Sequence, residues 1–256
     1  MTATNGVDAL GYIRTLGHAP LQPAFQPVVD DLCAAVRGPL ADLVDSAYLY
    51  GSVARGDAVV GRSDLDAVLL LVGPPAAAQL DRLESARLAL QQRHAAVTKV
   101  DFDLGSLAEA LSAAQLESWG FWLKHHCRCI AGPDRALALP LQRPSRSIAR
   151  AVNGDFPEVL SDYARRIAAP GEGAQLRVLM RQAARKALRA TNVLRPEDAT
   201  SWPESIADHV RQFTASFPEQ QDEILFLAAQ HEQPRADPQE FAHRLMRFAH
   251  WMARQR

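Results

Sequence analysis

Apolar positions along this chain change their period once. Over roughly the first half, strand-length apolar runs alternate with helical stripes; from about Pro144 onward, apolar residues recur only at helical steps. Gly and Pro punctuate residues 1–24, which predicts a loose lead-in. Val28, Val29, Leu32, Ala35, Val36 and Leu40 space an amphipathic helix over 25–43, with Gly38-Pro39 troubling its end. A short strand over 47–50 stops at Gly51. A second strand over 65–72 is apolar on both faces from Ala67 to Val72, as a central strand should be. Gly73-Pro74-Pro75 ends it. A helix follows over 76–96, with Leu80, Leu83, Ala86 and Leu90 on one stripe, then a strand over 98–104 and a helix over 107–123. Beyond Pro144 the pattern predicts helices near 146–168, 174–193, 203–215, 219–231 and 237–254. The last carries Phe241, Leu245, Phe248 and Met252 on one face. The expected fold class is an α/β (α+β) domain with a small mixed sheet over 1–139, followed by an all-α domain over 140–256.

Composition narrows the classes. With 48% hydrophobic and 22% charged residues, collagen-like, disordered and coiled-coil proteins are excluded. The formal charge of −1 supplies no global field for nucleic acid or an anionic membrane. Residues 1–139 are net −4 and 140–256 net +3, a mild polarity. No apolar run approaches the ~20 residues of a membrane span. Three cysteines, Cys33, Cys127 and Cys129, are too few for a disulfide framework. No basic-then-apolar leader is visible at the N-terminus. The expectation is a cytoplasmic protein.

The chemistry concentrates in Tyr48-Leu49-Tyr50-Gly51-Ser52-Val53-Ala54-Arg55-Gly56-Asp57, followed by Arg62-Ser63-Asp64-Leu65-Asp66. A strand delivers Gly51-Ser52 to a turn from which a helix can start. Glycine allows close backbone approach, and helix-start amides with the Ser52 hydroxyl suit an anionic phosphate. Asp64 and Asp66 sit two apart at the head of a strand, so their carboxylates point the same way. Paired carboxylates stay ionised when a cation lies between them, and Mg²⁺ is the hard cation that couples carboxylates to phosphates. Asp101 and Asp103 share a face at the start of another strand. Either could complete a three-carboxylate cluster able to hold two metals.

Gly51-Ser52, eleven intervening residues, then Asp64-Leu65-Asp66 resembles the signature of the DNA polymerase β-like nucleotidyltransferase superfamily. The wording is closest to small bacterial members, among them the aminoglycoside nucleotidyltransferases, and residues 121–134 also resemble a segment of those proteins. The resemblance implies that Gly51 and Ser52 hold the triphosphate of ATP. Asp64 and Asp66 would ligate both Mg²⁺ ions, and the third carboxylate falls on Asp101, with Asp103 its competitor. Arg55 and Ser63 match positions near the phosphates. The implied reaction moves a nucleoside monophosphate, AMP from ATP, to an acceptor hydroxyl with release of pyrophosphate. A small molecule such as an aminoglycoside is the expected acceptor, which would make this an antibiotic-resistance enzyme. A protein or RNA acceptor, or a nucleotide- or partner-binding module without turnover, are the alternatives.

Other features read more plainly. His125-His126-Cys127-Arg128-Cys129 fits no common zinc spacing, and its cysteines would be small core residues on a strand. Arg177, Arg181, Arg185 and Arg189 form a helical stripe whose default is a solvated face. From this helix Lys186, or Arg185, could neutralise the phosphates, as a basic side chain of the helical domain does in this superfamily. A polycationic acceptor would call for carboxylates. Asp155, Glu158 and Asp162, or Glu219, Asp222 and Glu223, could supply them, although the helical half is net positive. No basic patch with interleaved aromatics marks a nucleic-acid surface.

Overall fold

The computed structural model describes residues 6–17, 20–169 and 173–255. The chain divides into two compact units, Arg14–Gln142 and a second made of Met1–Ile13 with Arg143–Arg256.

The first unit is built on four strands, β1 (Val44–Tyr50), β2 (Leu65–Leu71), β3 (Val100–Ser106) and β4 (Arg128–Ala131), in the order β3-β2-β1-β4. β1 runs antiparallel to β2 and β4, and β2 runs parallel to β3, so the sheet is mixed. Period-two alternation gives the sheet two distinct faces. Leu49, Leu65, Ala67 and Leu69 point to helices α1 (Gln26–Arg37) and α3 (Ala77–Arg93) in one continuous core. Tyr48, Val68 and Leu70 point the other way, into a smaller cluster with Leu123, Ala136 and Trp119. A fully buried Leu or Phe contributes about 1.5–3 kcal/mol relative to exposure, which makes the larger face the stabilising one. Between β1 and β2 lies the short helix α2 (Gly51–Arg55).

Three expectations are corrected here. The lead-in is not loose over its described residues: Asp8 Oδ1 accepts hydrogen bonds from the Leu10 and Tyr12 amides, both at 2.9 Å, and Ile13 is buried. Gln22 clamps the turn after α2, exchanging 3.1 Å bonds with both backbone groups of Ala58. The helix expected over 107–123 is broken into α4 (Leu107–Ala110), a 3-10 turn, a π turn (Leu116–Gly120) and α5 (Phe121–His126). Ser112 takes extended backbone, ending α4, and the π turn sets Trp119 against Gly105, where a Cβ would lie 3.0 Å from the ring. The helix expected over 146–168 is divided at Gly154-Asp155 into α6 (Arg146–Asn153) and α7 (Phe156–Ala168), with Pro157 in the first turn of α7.

The second unit continues with α8 (Ala174–Ala190), a 3-10 turn (Thr191–Leu194), α9 (Ile206–Ser216), α10 (Gln221–Glu232) and α11 (Pro238–Arg254). α7 packs against α8 and α11, and α8 against α10, around Leu160, Leu188, Ile224, Phe241, Leu245 and Phe248. Local capping agrees with this layout. Ser205 Oγ accepts from the Asp208 amide at 3.1 Å while Asp208 Oδ2 accepts from the Ser205 amide at 3.0 Å. Asp237 caps α11 through the Gln239 and Glu240 amides. An α/β N-terminal region followed by a run of long helices is thus the architecture expected from the sequence. No described helix is long and apolar enough to cross a membrane.

Candidate active site

The acids of β2 and β3 are brought together by register. Parallel pairing sets Asp66 opposite Asp101 and Val68 opposite Asp103, while antiparallel pairing sets Tyr50 opposite Asp66. Cross-strand partners share a face, so Tyr50, Asp66, Asp101 and Asp103 lie at one end of the face that carries Tyr48, Val68 and Leu70. The same surface is apolar where it is covered and acidic where it reaches the strand ends.

Gly51 connects this face to the turn. Its φ of +72° lies in the left-handed region, and a Cβ there would collide with the Asp66 carboxylate. Only glycine lets β1 pass directly into α2 with that carboxylate against the backbone. α2 ends at Gly56, also left-handed at φ 79°, with the Gly56 and Asp57 amides bonded to the Ser52 carbonyl at 3.0 and 3.1 Å. Ser52 is half-buried in the first turn of this helix, whose start has no side-chain cap.

Three residues that the sequence reading passed over shape the electrostatics. The Tyr50 hydroxyl donates to Asp103 Oδ2 at 2.7 Å. Burial, then that bond, then the charges of Asp103, Asp66 and Asp101 push the phenol well above its ordinary range, so it stays a neutral donor. Lys99 Nζ lies 2.6 Å from Asp101 Oδ1 and supplies the cation nearest the acid pair. Thr98 donates its hydroxyl to Asp64 Oδ1. Lys99 could have been found as the cation two residues before Asp101 on one strand face. Tyr50 has the matching signal, since period two places it beside Tyr48 on the acidic face.

The remaining predicted residues are placed as follows. Ser63 Oγ accepts from the Val59 amide at 2.9 Å and its carbonyl accepts from Thr98 at 3.0 Å, so it holds the turn before β2. Arg55 is exposed and paired with Asp57 at 3.2 Å. Lys186, in the second unit, pairs with Asp155 at 2.7 Å, and Arg185 beside it is exposed. Cys127 is buried, and Cys129 lies on β4 opposite Tyr48, its thiol pushed up to about 11, mainly by burial.

The structure therefore brings together Gly51, Asp66 and Asp101, and joins Asp103 to them through Tyr50. It does not gather Asp64, Asp66 and Asp101 into one ligand set: among the described residues no group of three or more His, Cys, Asp or Glu side chains is arranged to hold a metal ion. Mg²⁺, however, is held by one or two carboxylates with substrate phosphates and water completing its shell. Two carboxylates opposite one another on adjacent strands, next to a phosphate-compatible turn, fit that requirement.

No protein-family model matches the sequence, and no curated protein matches it. Among solved structures, the fold is similar to that of a spectinomycin adenyltransferase from Enterococcus faecialis, solved with ATP and spectinomycin. The TM-score is 0.56 at 11% identity, over 88% of this chain and 99% of that one. At that identity the likeness shows a shared fold.

Proposed function

We propose that this chain moves AMP from ATP to the hydroxyl of a small-molecule acceptor, with aminoglycoside-like compounds the first class to test. The observation that carries this reading is the register of β2 against β3, which opposes Asp66 and Asp101 beside the left-handed Gly51 turn. The fold shared with an adenyltransferase solved with ATP and spectinomycin supports it.

In this reading Asp66 and Asp101 would hold divalent metal, with Asp64, which stands outside that pair in the structure, drawn in when the metal binds, and the metal would supply charge neutralisation at the transferred phosphate. The amides of the Gly51–Val53 turn and the Ser52 hydroxyl orient the triphosphate. Lys99 exchanges its place on Asp101 for solvent or a phosphate oxygen, and Thr98 keeps Asp64 aimed along the strand face. Tyr50 holds Asp103 aside, which leaves Asp101 as the third carboxylate. Arg55 and Ser63 are candidates for further phosphate contacts. The acceptor oxygen forms a bond to the α-phosphorus as the bond to pyrophosphate breaks, and the hydroxyl proton passes to solvent water.

A second reading, a nucleotide-binding module without turnover, is favoured by the partners already on the acids: Lys99 on Asp101 and Thr98 on Asp64. ATP titration with and without Mg²⁺, followed by pyrophosphate release against an acceptor panel, separates the two. Metal-dependent ATP binding with acceptor-dependent release supports the transferase. Binding without release under every acceptor supports the module, and absence of ATP binding overturns both.

A further inference from the structure

The helical unit contains a cavity of about 210 Å³ bounded by the 3-10 turn at Thr191–Leu194, the loop after it and α9. Much of its wall is apolar, with Leu194, Pro203, Phe213 and Phe217 contributing. Two ionisable side chains are set into that wall, Arg195 and His209, only 6% and 8% exposed.

Arg195 has a structural task that uses part of it. Its Nη2 donates to the carbonyls of Ala199 and Ser201 at 2.6 and 2.8 Å, and its guanidinium lies 5.1 Å from the centre of the Trp202 ring. These bonds wrap the loop around the side chain. A guanidinium carries further donors, and here Nε and Nη1 have no hydrogen-bond partner. Nor does any acidic side chain line the cavity among the described residues. Arg146 approaches Arg195, but it is another cation, bonded to the Arg195 carbonyl at 2.9 Å and paired with Glu197 at 3.1 Å. Burial and then Arg146 lower the Arg195 pKa to about 10, so the group remains charged at neutral pH. His209, driven down to about 3 by burial, stays neutral, and its Nδ1 also lacks a partner. A buried cation with unused donors and no counter-charge is costly unless an anion is brought to it. Pinning a loop needs hydrogen-bond donors but not a positive charge.

We propose that this cavity binds a small organic oxyanion, with an apolar body against the cavity wall and its charged group on Arg195, and that His209 hydrogen-bonds its rim. A carboxylate and a phosphate ester share this chemistry. The site is independent of the transferase reading, because its ligand is read by binding alone.

Isothermal titration of the full chain, without nucleotide or divalent metal, tests it with benzoate, phenyl phosphate and the neutral benzamide as probes. Either anion is expected to saturate, with a Kd raised about tenfold or more in Arg195→Gln, while benzamide does not bind. Ala199→Leu keeps the carbonyl bonded to Arg195 and fills the cavity, so it should weaken the anion to a similar degree. It decides the question alone if Arg195→Gln fails to fold. Tighter benzoate identifies a carboxylate ligand, and tighter phenyl phosphate a phosphate ester. The proposal is overturned if neither anion saturates, if benzamide binds as well as benzoate, or if a folded variant leaves the Kd unchanged.

Discussion

The acidic end of the sheet and the cavity of the helical unit place charge in opposite ways. Asp64 and Asp66 lie at the head of β2, Asp101 at the start of β3 and Asp103 at its middle, none of them fully buried, and Thr98 and Lys99 just ahead of β3, with Tyr50 of β1, meet three of them. Arg195 lies almost wholly inside, with two nitrogens bonded to nothing. Rim carboxylates can exchange partners with water or an arriving cation at little cost. A buried guanidinium cannot, and under the proposal above the bound anion would supply its missing partner. Partly satisfied groups at an edge and unsatisfied groups in an interior thus point to different kinds of occupancy.

The comparison can be broken most directly at the sheet. Asp66→Ala and Asp64→Ala should each reduce AMP transfer by at least about a thousandfold, measured as pyrophosphate release, with the fold retained by circular dichroism. Near-normal turnover in either would remove those residues from the site. Next comes Asp101→Asn, expected to lose about a hundredfold or more, against less than about tenfold for Asp103→Asn. Equal losses would mean that the Tyr50 bond does not set Asp103 aside. Gly51→Ala should cost about 1–3 kcal/mol in urea unfolding as well as activity, because both its φ and the Asp66 carboxylate oppose a Cβ. That double loss would set it apart from Asp66→Ala, which removes the carboxylate and leaves the turn.

A pH series compares the two units themselves. Burial drops the His209 pKa from 6.5 to about 3, so the native imidazole is neutral while the unfolded one takes up a proton below 6.5. Stability from this group is complete above pH 6.5 and is lost as pH falls toward 3, at up to about 1.4 kcal/mol per pH unit. In the sheet unit, Arg135 holds the Asp45 carboxyl below its usual 3.8, so that contribution persists until pH falls below about 3.8. Urea midpoints should therefore drop between pH 7 and pH 5, and His209→Asn should flatten the drop; an unchanged slope would contradict the buried neutral histidine. The smallest effect is expected at Asp57→Ala, within about 0.5 kcal/mol of the parent, since the exposed Arg55–Asp57 pair is solvated on both sides.

Local patterns made much of the sheet unit legible. The apolar run through Val68 to Leu71 marked a central strand, and alternation put each pair of acids on one face. What alternation cannot supply is register between strands distant in sequence, and only the pairing of β2 with β3 sets Asp101, rather than Asp103, opposite Asp66. The break after Ala110 was hidden because helix-compatible residues continue through Leu123; it comes where Ser112 turns extended, ahead of the π turn that seats Trp119 on Gly105. Arg195 was invisible for another reason. In an arginine-rich chain a single arginine carries no signal, and its isolation depends on a loop folding over it.

The parallel joint between β2 and β3 has a consequence for how such a protein comes into being. Asp66 and Asp101 are separated in the chain by the whole of α3, which must cross the sheet and return before their strands can align. A hairpin could have joined its two acids as soon as its turn left the ribosome. Here the pair is assembled only when a long-range crossover closes, so a nascent chain arrested before β3 could set Tyr50 opposite Asp66 but would have no second carboxylate beside it.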